Sequence, residues 1–163
     1  DGIHSAEATG TPVAQTYKTL VMQGKSKQYY VFVIPIAEEV DLKAAARSVG
    51  EKSVEMIHVK DLTAITGYVR GGCSPLGMKK AFTTVIDSSA EQFDTMYVSG
   101  GRIGTTIKLN PQDLAKVVRA TFAPILMHAW LGICEMLRDF QGNYPKHKRA
   151  VNDTTLKFAF YTS

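Results

Sequence analysis

The sequence predicts an α+β fold with a mixed, mainly antiparallel sheet or barrel and flanking helices. Three observations carry this. Strand-like runs arrive in clusters with helical runs between them. Hairpin links outnumber clear βαβ units, which disfavours an all-parallel sheet. One run, "YYVFVIPI" (29–36), is almost wholly apolar, as a central strand covered on both faces must be.

The elements follow in order. Residues 2–9 form a short helix stopped by Gly10, and "PVAQTYK" (12–18) reads as a second helical turn. "KTLVMQ" (18–23) and "YYVFVIPI" flank the polar loop "GKSK", a hairpin signal. "DLKAAARSVG" (41–50) is a helix capped by Asp41 and ended by Gly50. "KSVEMI" (52–57) leaves its type open, and "VKDLTAITG" (59–67) is a helix that stops at Gly67. "AFTTVIDSS" (81–89), "TMYVSGG" (95–101) and "TTIKLN" (105–110) read as strands. "NPQDLAKVVRATF" (110–122) reads as a helix with Asn110 as cap and Pro111 in its first turn. Leu114, Val117, Val118 and Phe122 would share its apolar face. From Leu126 the texture changes: "LMHAWLGICEMLRDF" has helical periodicity, a polar and basic stretch follows, and "LKFAFYTS" reads as a strand. Residues 1–125 are therefore taken as one domain and 126–163 as a C-terminal extension.

Length and composition narrow the class. At 163 residues the chain can bury a core of one domain, and its 45% hydrophobic and 21% charged content is that of a globular protein. No apolar run reaches the roughly 18 residues of a membrane span, so no membrane partner is expected. Cys73 and Cys134 lie far apart without CxxC spacing, which points to neither a disulfide framework nor a zinc site and fits a cytoplasmic setting. The net charge of +4 permits a phosphate-bearing partner without demanding one. "DGIHSAEATG" reads as a chain entered partway.

Chemistry concentrates in two glycine-rich loops. "TGYVRGGCSPLGMKK" (66–80) holds four glycines and three basic residues, and "SGGRIG" (99–104) follows another strand. Such loops are either plain turns or concavities whose successive N–H groups hold an anion or an oxyanion. Neither matches GxxxxGK[ST] or GxGxxG. Lys18, in "TYKTL", joins a helical turn to a buried strand, where it either snorkels outward or needs a partner. His4, His58, His128 and His147 have no ligand spacing, so no metal or other cofactor is expected. Ser74 lacks the GxSxG elbow, Cys73 reads as a small packing side chain, and "KHKR" (146–149) as a solvated basic patch that can touch RNA.

Taken in order, "QTYKTLV", "DLKAAARSVGEKSVEM", "TGYVRGGCSPLGMKK", "TTVIDSS", "YVSGGRIG" and "LNPQDLAKVVRATFAPI" resemble the YbaK/EbsC family. These are freestanding relatives of the editing domain in bacterial prolyl-tRNA synthetase. The resemblance runs from Asp1 to Ile125 and is closer to the Cys-tRNA(Pro) deacylase branch than to the alanine-specific one. It implies hydrolysis of the ester joining a mischarged amino acid, most readily cysteine on tRNA(Pro), to the 3′ adenosine of tRNA. It implies the aminoacyl-tRNA acceptor end as partner, with prolyl-tRNA synthetase as a second one, and chemistry without a metal. It places the catalytic roles on Lys18 and Gly71, and substrate binding on Thr19, Gly72, Ser74, Pro75, Ser99, Gly100 and Gly101. The nucleophile would be the cargo thiol or a ribose hydroxyl. The family's aspartate is replaced by Thr106, and its opening helix and strand would precede Asp1. A binding module of the same fold, for aminoacyl-tRNA or a synthetase, is the alternative.

Overall fold

The computed structural model describes residues 2–128. A helix, α1 (Gly2–Thr9), stops at Gly10, which is left-handed with φ 70°. The helical turn expected over 12–18 is shorter: a 3₁₀ turn covers Val13–Gln15 and strand β1 (Tyr17–Gly24) has already begun. Strand pairing wins there because the neighbouring backbone is waiting: Thr16 bridges in parallel to Tyr97, and the Ile36 amide bonds the Thr16 carbonyl.

β1 folds back on β2 (Tyr29–Pro35) as an antiparallel hairpin, from Tyr17 opposite Pro35 to Gln23 opposite Tyr29. The hydroxyls of Ser26 and Tyr30 both donate to the Glu51 carboxylate, which ties the hairpin loop to the far end of the next helix. That helix, α2 (Leu42–Ser48), is capped as its sequence implies: the Asp41 carboxylate accepts from the amides of Lys43 and Ala44. The ambiguous "KSVEMI" supplies a short strand, β3 (Val54–Met56), antiparallel to β1 at Met22–Gly24.

Helix α3 (Val59–Thr66) leads through the first glycine loop to β4 (Thr83–Asp87), which runs parallel to β2. The hairpin β5 (Met96–Ser99) and β6 (Thr106–Leu109) forms a separate two-stranded sheet. Helix α4 (Pro111–Val118) follows, and the chain returns as β7 (Thr121–Ala123), parallel to β4. The larger sheet has the order β3-β1-β2-β4-β7. Its pairings are mixed, antiparallel on the β1 side and parallel beyond β2, as an α+β reading requires.

Two further expectations fail at the C-terminal end of the described residues. The helix read over 110–122 ends at Val118, with Arg119 left-handed at φ 54°. Phe122 therefore lies in a strand, opposite Ile86, rather than on the helix face. Val117 is exposed, while Leu114 is buried and Val118 packs against the core. The unpaired edge of β4 needs backbone partners, and Thr121–Ala123 supply them. Leu126, read as the start of a helix, instead bridges to Val40. The rest of that segment, with "KHKR" and "LKFAFYTS", lies outside the described residues.

β2 is buried along nearly its whole length because both its faces carry core. Val31 and Val33 face Tyr17, Val21, Ile86, Met96 and Leu114. Tyr30, Phe32 and Ile34 face Met22, Ala45, Ala46, Val85 and Ile125. The glycine loops belong to the first of these sides: Cys73, Leu76, Met78 and Ile107 all pack against it.

Candidate active site

The first glycine loop hangs from the end of α3. Gly67 takes the left-handed turn (φ 87°) and its amide bonds the Thr63 carbonyl. Thr66, fully buried, acts as a hub: its hydroxyl donates to the Leu62 carbonyl at 2.8 Å and accepts from the Tyr68 amide at 3.0 Å. The Lys79 amide returns to the Thr66 carbonyl at 3.1 Å, so the loop closes where it started. Ser74 is buried, and its hydroxyl accepts from the Leu76 amide at 3.2 Å. Pro75 is buried beside it.

The second loop closes the β5–β6 hairpin. Here the Gly100 amide bonds the Thr105 carbonyl at 2.8 Å and the Gly101 amide bonds the Ser99 hydroxyl at 3.2 Å. These two amides are engaged within the loop. The amides of Gly71, Cys73 and Ser74 have no backbone acceptor among the described residues. The Arg102, Ile103 and Gly104 amides of the second loop likewise have no backbone acceptor among the described residues, so both loops hold amides that can meet an oxyanion.

The loops touch. A Cβ on Gly72 would sit 3.3 Å from the Ile103 nitrogen and 3.4 Å from the Arg102 carbonyl carbon. A Cβ on Gly71 would meet only the Ile103 side chain, at 3.6 Å, so Gly71 is there for its φ of 85° and Gly72 for space. Tyr68 stands between them. Its ring lies 2.9 Å from where a Cβ of Gly101 would be, and its hydroxyl donates to the Leu76 carbonyl. Tyr68 stands in the motif that carries the resemblance, which gives it no role; the folded loops reveal what it touches.

β1 joins this assembly through the Thr16–Tyr97 bridge. Along β1 Lys18 alternates onto the face of Leu20 and Met22, opposite the side on which the glycine loops pack. Lys18 is half-buried, and its ammonium has no hydrogen-bond or ion-pair partner among the described residues. Thr19 faces the other way, with Tyr17 and Val21, toward the side on which the loops pack. Its hydroxyl oxygen is buried and unpartnered among the described residues, an unmet polar group at the base of the site. Thr106 pairs with Ser99 across the hairpin.

The electrostatics are one-sided. Residues 62–86 and 95–112 contain no Asp or Glu, yet they carry Arg70, Lys79, Lys80, Arg102 and Lys108, all exposed. That is a positive rim around the loops. Burial pushes the Cys73 thiol up to about 11, with the neighbouring Thr66 hydroxyl opposing the shift, so it stays protonated at neutral pH. Neither Cys73 nor the buried, engaged Ser74 is placed as a nucleophile. Among the described residues no group of three His, Cys, Asp or Glu is arranged to hold a metal, and no helix is long and apolar enough to cross a membrane.

Residues 3–117 match the aminoacyl-tRNA editing domain family. The chain is 45% identical over 120 residues to EbsC of Enterococcus faecalis, named as a Cys-tRNA(Pro)/Cys-tRNA(Cys) deacylase, covering 74% of this chain and 73% of that protein. It is 24% identical over 131 residues to YwhH of Bacillus subtilis, covering 80% of this chain and 78% of that one. A crystal structure described as a trans-editing enzyme for prolyl tRNA synthetase superposes with a TM-score of 0.70 at 23% identity, covering 78% of this chain and 80% of the other. That last likeness shows the fold.

Proposed function

The chain belongs to the aminoacyl-tRNA editing domain family, and from that premise we propose that it hydrolyses mischarged aminoacyl-tRNA in trans, with Cys-tRNA(Pro) as its substrate. The observation that carries this reading is the meeting of the two glycine loops, where the Gly71, Cys73 and Ser74 amides have no backbone acceptor among the described residues.

Each part has a role in ester cleavage. The reaction passes through a tetrahedral oxyanion, and preorganised N–H donors stabilise it by a few kcal/mol each. Gly71 exposes the loop backbone to the acyl carbonyl, with Gly72, Ser74 and Pro75 holding the loop's shape. Lys18 acts as a point charge for the terminal phosphate. Thr19 supports the floor of the acyl-adenosine site from beneath, and Ser99, Gly100 and Gly101 wall the other side. With the Cys73 thiol protonated and Ser74 engaged, the attacking group comes from the substrate, as its own thiol or a ribose hydroxyl, or from water. The protein contributes position and charge. The basic rim draws in the acceptor strand. We place the activity in the cytoplasm, on tRNA charged by prolyl-tRNA synthetase, the enzyme that the structural neighbour's description pairs with trans-editing.

The test is release of cysteine from Cys-tRNA(Pro), with Pro-tRNA(Pro) as the control. Release well above the buffer rate, with the cognate ester spared, is the expected result. Release no faster than in buffer, with tRNA binding retained, overturns hydrolysis and leaves the binding module of the same fold.

A further inference from the structure

We propose that Tyr68 is a positioning residue, a phenolic strut that sets the spacing of the two glycine loops and so aims the Gly71–Ser74 amides. This rests on the deacylase reading of the same site and adds to it the residue that holds the site's geometry.

The argument runs from anchor to tip. The backbone of Tyr68 is held at both ends by the cap of α3: its amide donates to the Thr66 hydroxyl at 3.0 Å, and its carbonyl accepts from the Thr63 hydroxyl at 3.1 Å. A side chain rooted this firmly reaches across its own loop, where its hydroxyl donates to the Leu76 carbonyl. The Leu76 amide is in turn fixed by Ser74. Both polar groups of the Leu76 backbone are thus held, one by the strut and one by a residue of the donor segment.

The ring fills the gap between the loops. An added Cβ at Gly77 would meet the Tyr68 hydroxyl at 2.9 Å, and one at Gly101 would meet the ring at 2.9 Å. Both glycines also have positive φ, 67° and 95°. A side chain at either position would displace the ring, so glycine is needed there for Tyr68 as well as for the turn. The strut therefore touches both loops, and a shift of either is passed to the other through one rigid six-membered ring.

Two variants separate this role from simple packing. Tyr68→Phe keeps the ring and loses the donor to Leu76; Tyr68→Ala loses both. In deacylation of Cys-tRNA(Pro), Tyr68→Phe is expected to lower kcat roughly tenfold through misplaced donors, with KM within about twofold and the melting temperature nearly unchanged. Unaltered kcat, or a loss matched by a lower folded fraction, overturns the proposal. Amide hydrogen exchange gives a readout that needs no activity. In Tyr68→Ala, exchange at Gly100 and Gly101, in the other loop, is expected to quicken while β2 stays protected. Unchanged exchange there also overturns it. If the wild-type protein releases no cysteine, the deacylase reading falls, and the exchange data then decide the strut by themselves.

Discussion

Substituting Gly72 by alanine tests the contact between the loops most directly. The φ at this position is not left-handed, so alanine meets no backbone penalty of its own. All of the effect comes from where the methyl lands: 3.3 Å from the Ile103 nitrogen and 3.4 Å from the Arg102 carbonyl and α-carbons. These are backbone atoms, which cannot swing aside as a side-chain tip would. The loops must part by about 0.3 Å to restore ordinary contact, a mild overpacking of about 1–2 kcal/mol. For a chain of this size that lowers the melting temperature by roughly 3–6 °C. The displaced donors should reduce kcat about tenfold, since partial misalignment forfeits part of what a complete donor supplies. Gly71→Ala is the matched control. Its Cβ has room, 3.6 Å from Ile103, but its φ of 85° disfavours any side chain by about 1 kcal/mol. A thermal melt with single-turnover deacylation reads both variants. If Gly72→Ala retains full kcat and wild-type melting, the loops do not abut and the proposed donor geometry is wrong.

Three further outcomes follow from the same geometry. Lys18→Ala should lower kcat/KM roughly hundredfold while stability stays within about 0.5 kcal/mol, because no described partner is stranded; unchanged turnover would remove Lys18 from the chemistry. Cys73 has a native pKa raised from 9.0 to about 11 by burial, so the folded state holds its proton where the unfolded chain has released it. Stability from this group is complete below about pH 9 and declines as pH rises toward 11. Denaturant melts of Cys73→Ala should be flatter over that window than wild type, with deacylation at neutral pH retained; an equal slope would rule out the buried thiol as the cause. Asp41→Ala removes the acceptor for two amides at the start of α2 and should lower stability by about 1 kcal/mol with kcat unchanged, read by urea melts and the deacylation assay.

Much of the fold was legible because local chemistry and tertiary demand agree. Asp41 caps where Asp caps best, Gly10 and Gly67 stop helices with the φ only glycine adopts readily, and the apolar run at 29–36 becomes the strand with core on both sides. Disagreement came where strand pairing outweighed helical pattern, at Tyr17–Lys18 and at Phe122, since an open sheet edge is not visible in a linear spacing. The candidate site divides the same way. Both loops could be read as places of backbone freedom. That Gly100 and Gly101 engage their amides internally, while Gly71, Cys73 and Ser74 do not, could not be.

By itself, the sequence determined which segments are regular, where the chain turns, and that two positively charged glycine loops exist without a carboxylate in either. These are local properties, set by side-chain shape, φ preference and charge. Only the tertiary structure decided that Gly72 rests on Arg102 and Ile103, that Tyr68 spans both loops, and that Thr19 keeps a buried hydroxyl with no described partner. Those depend on contacts between residues about thirty or more positions apart, or on a side chain's path through space, and a one-dimensional pattern carries no record of either.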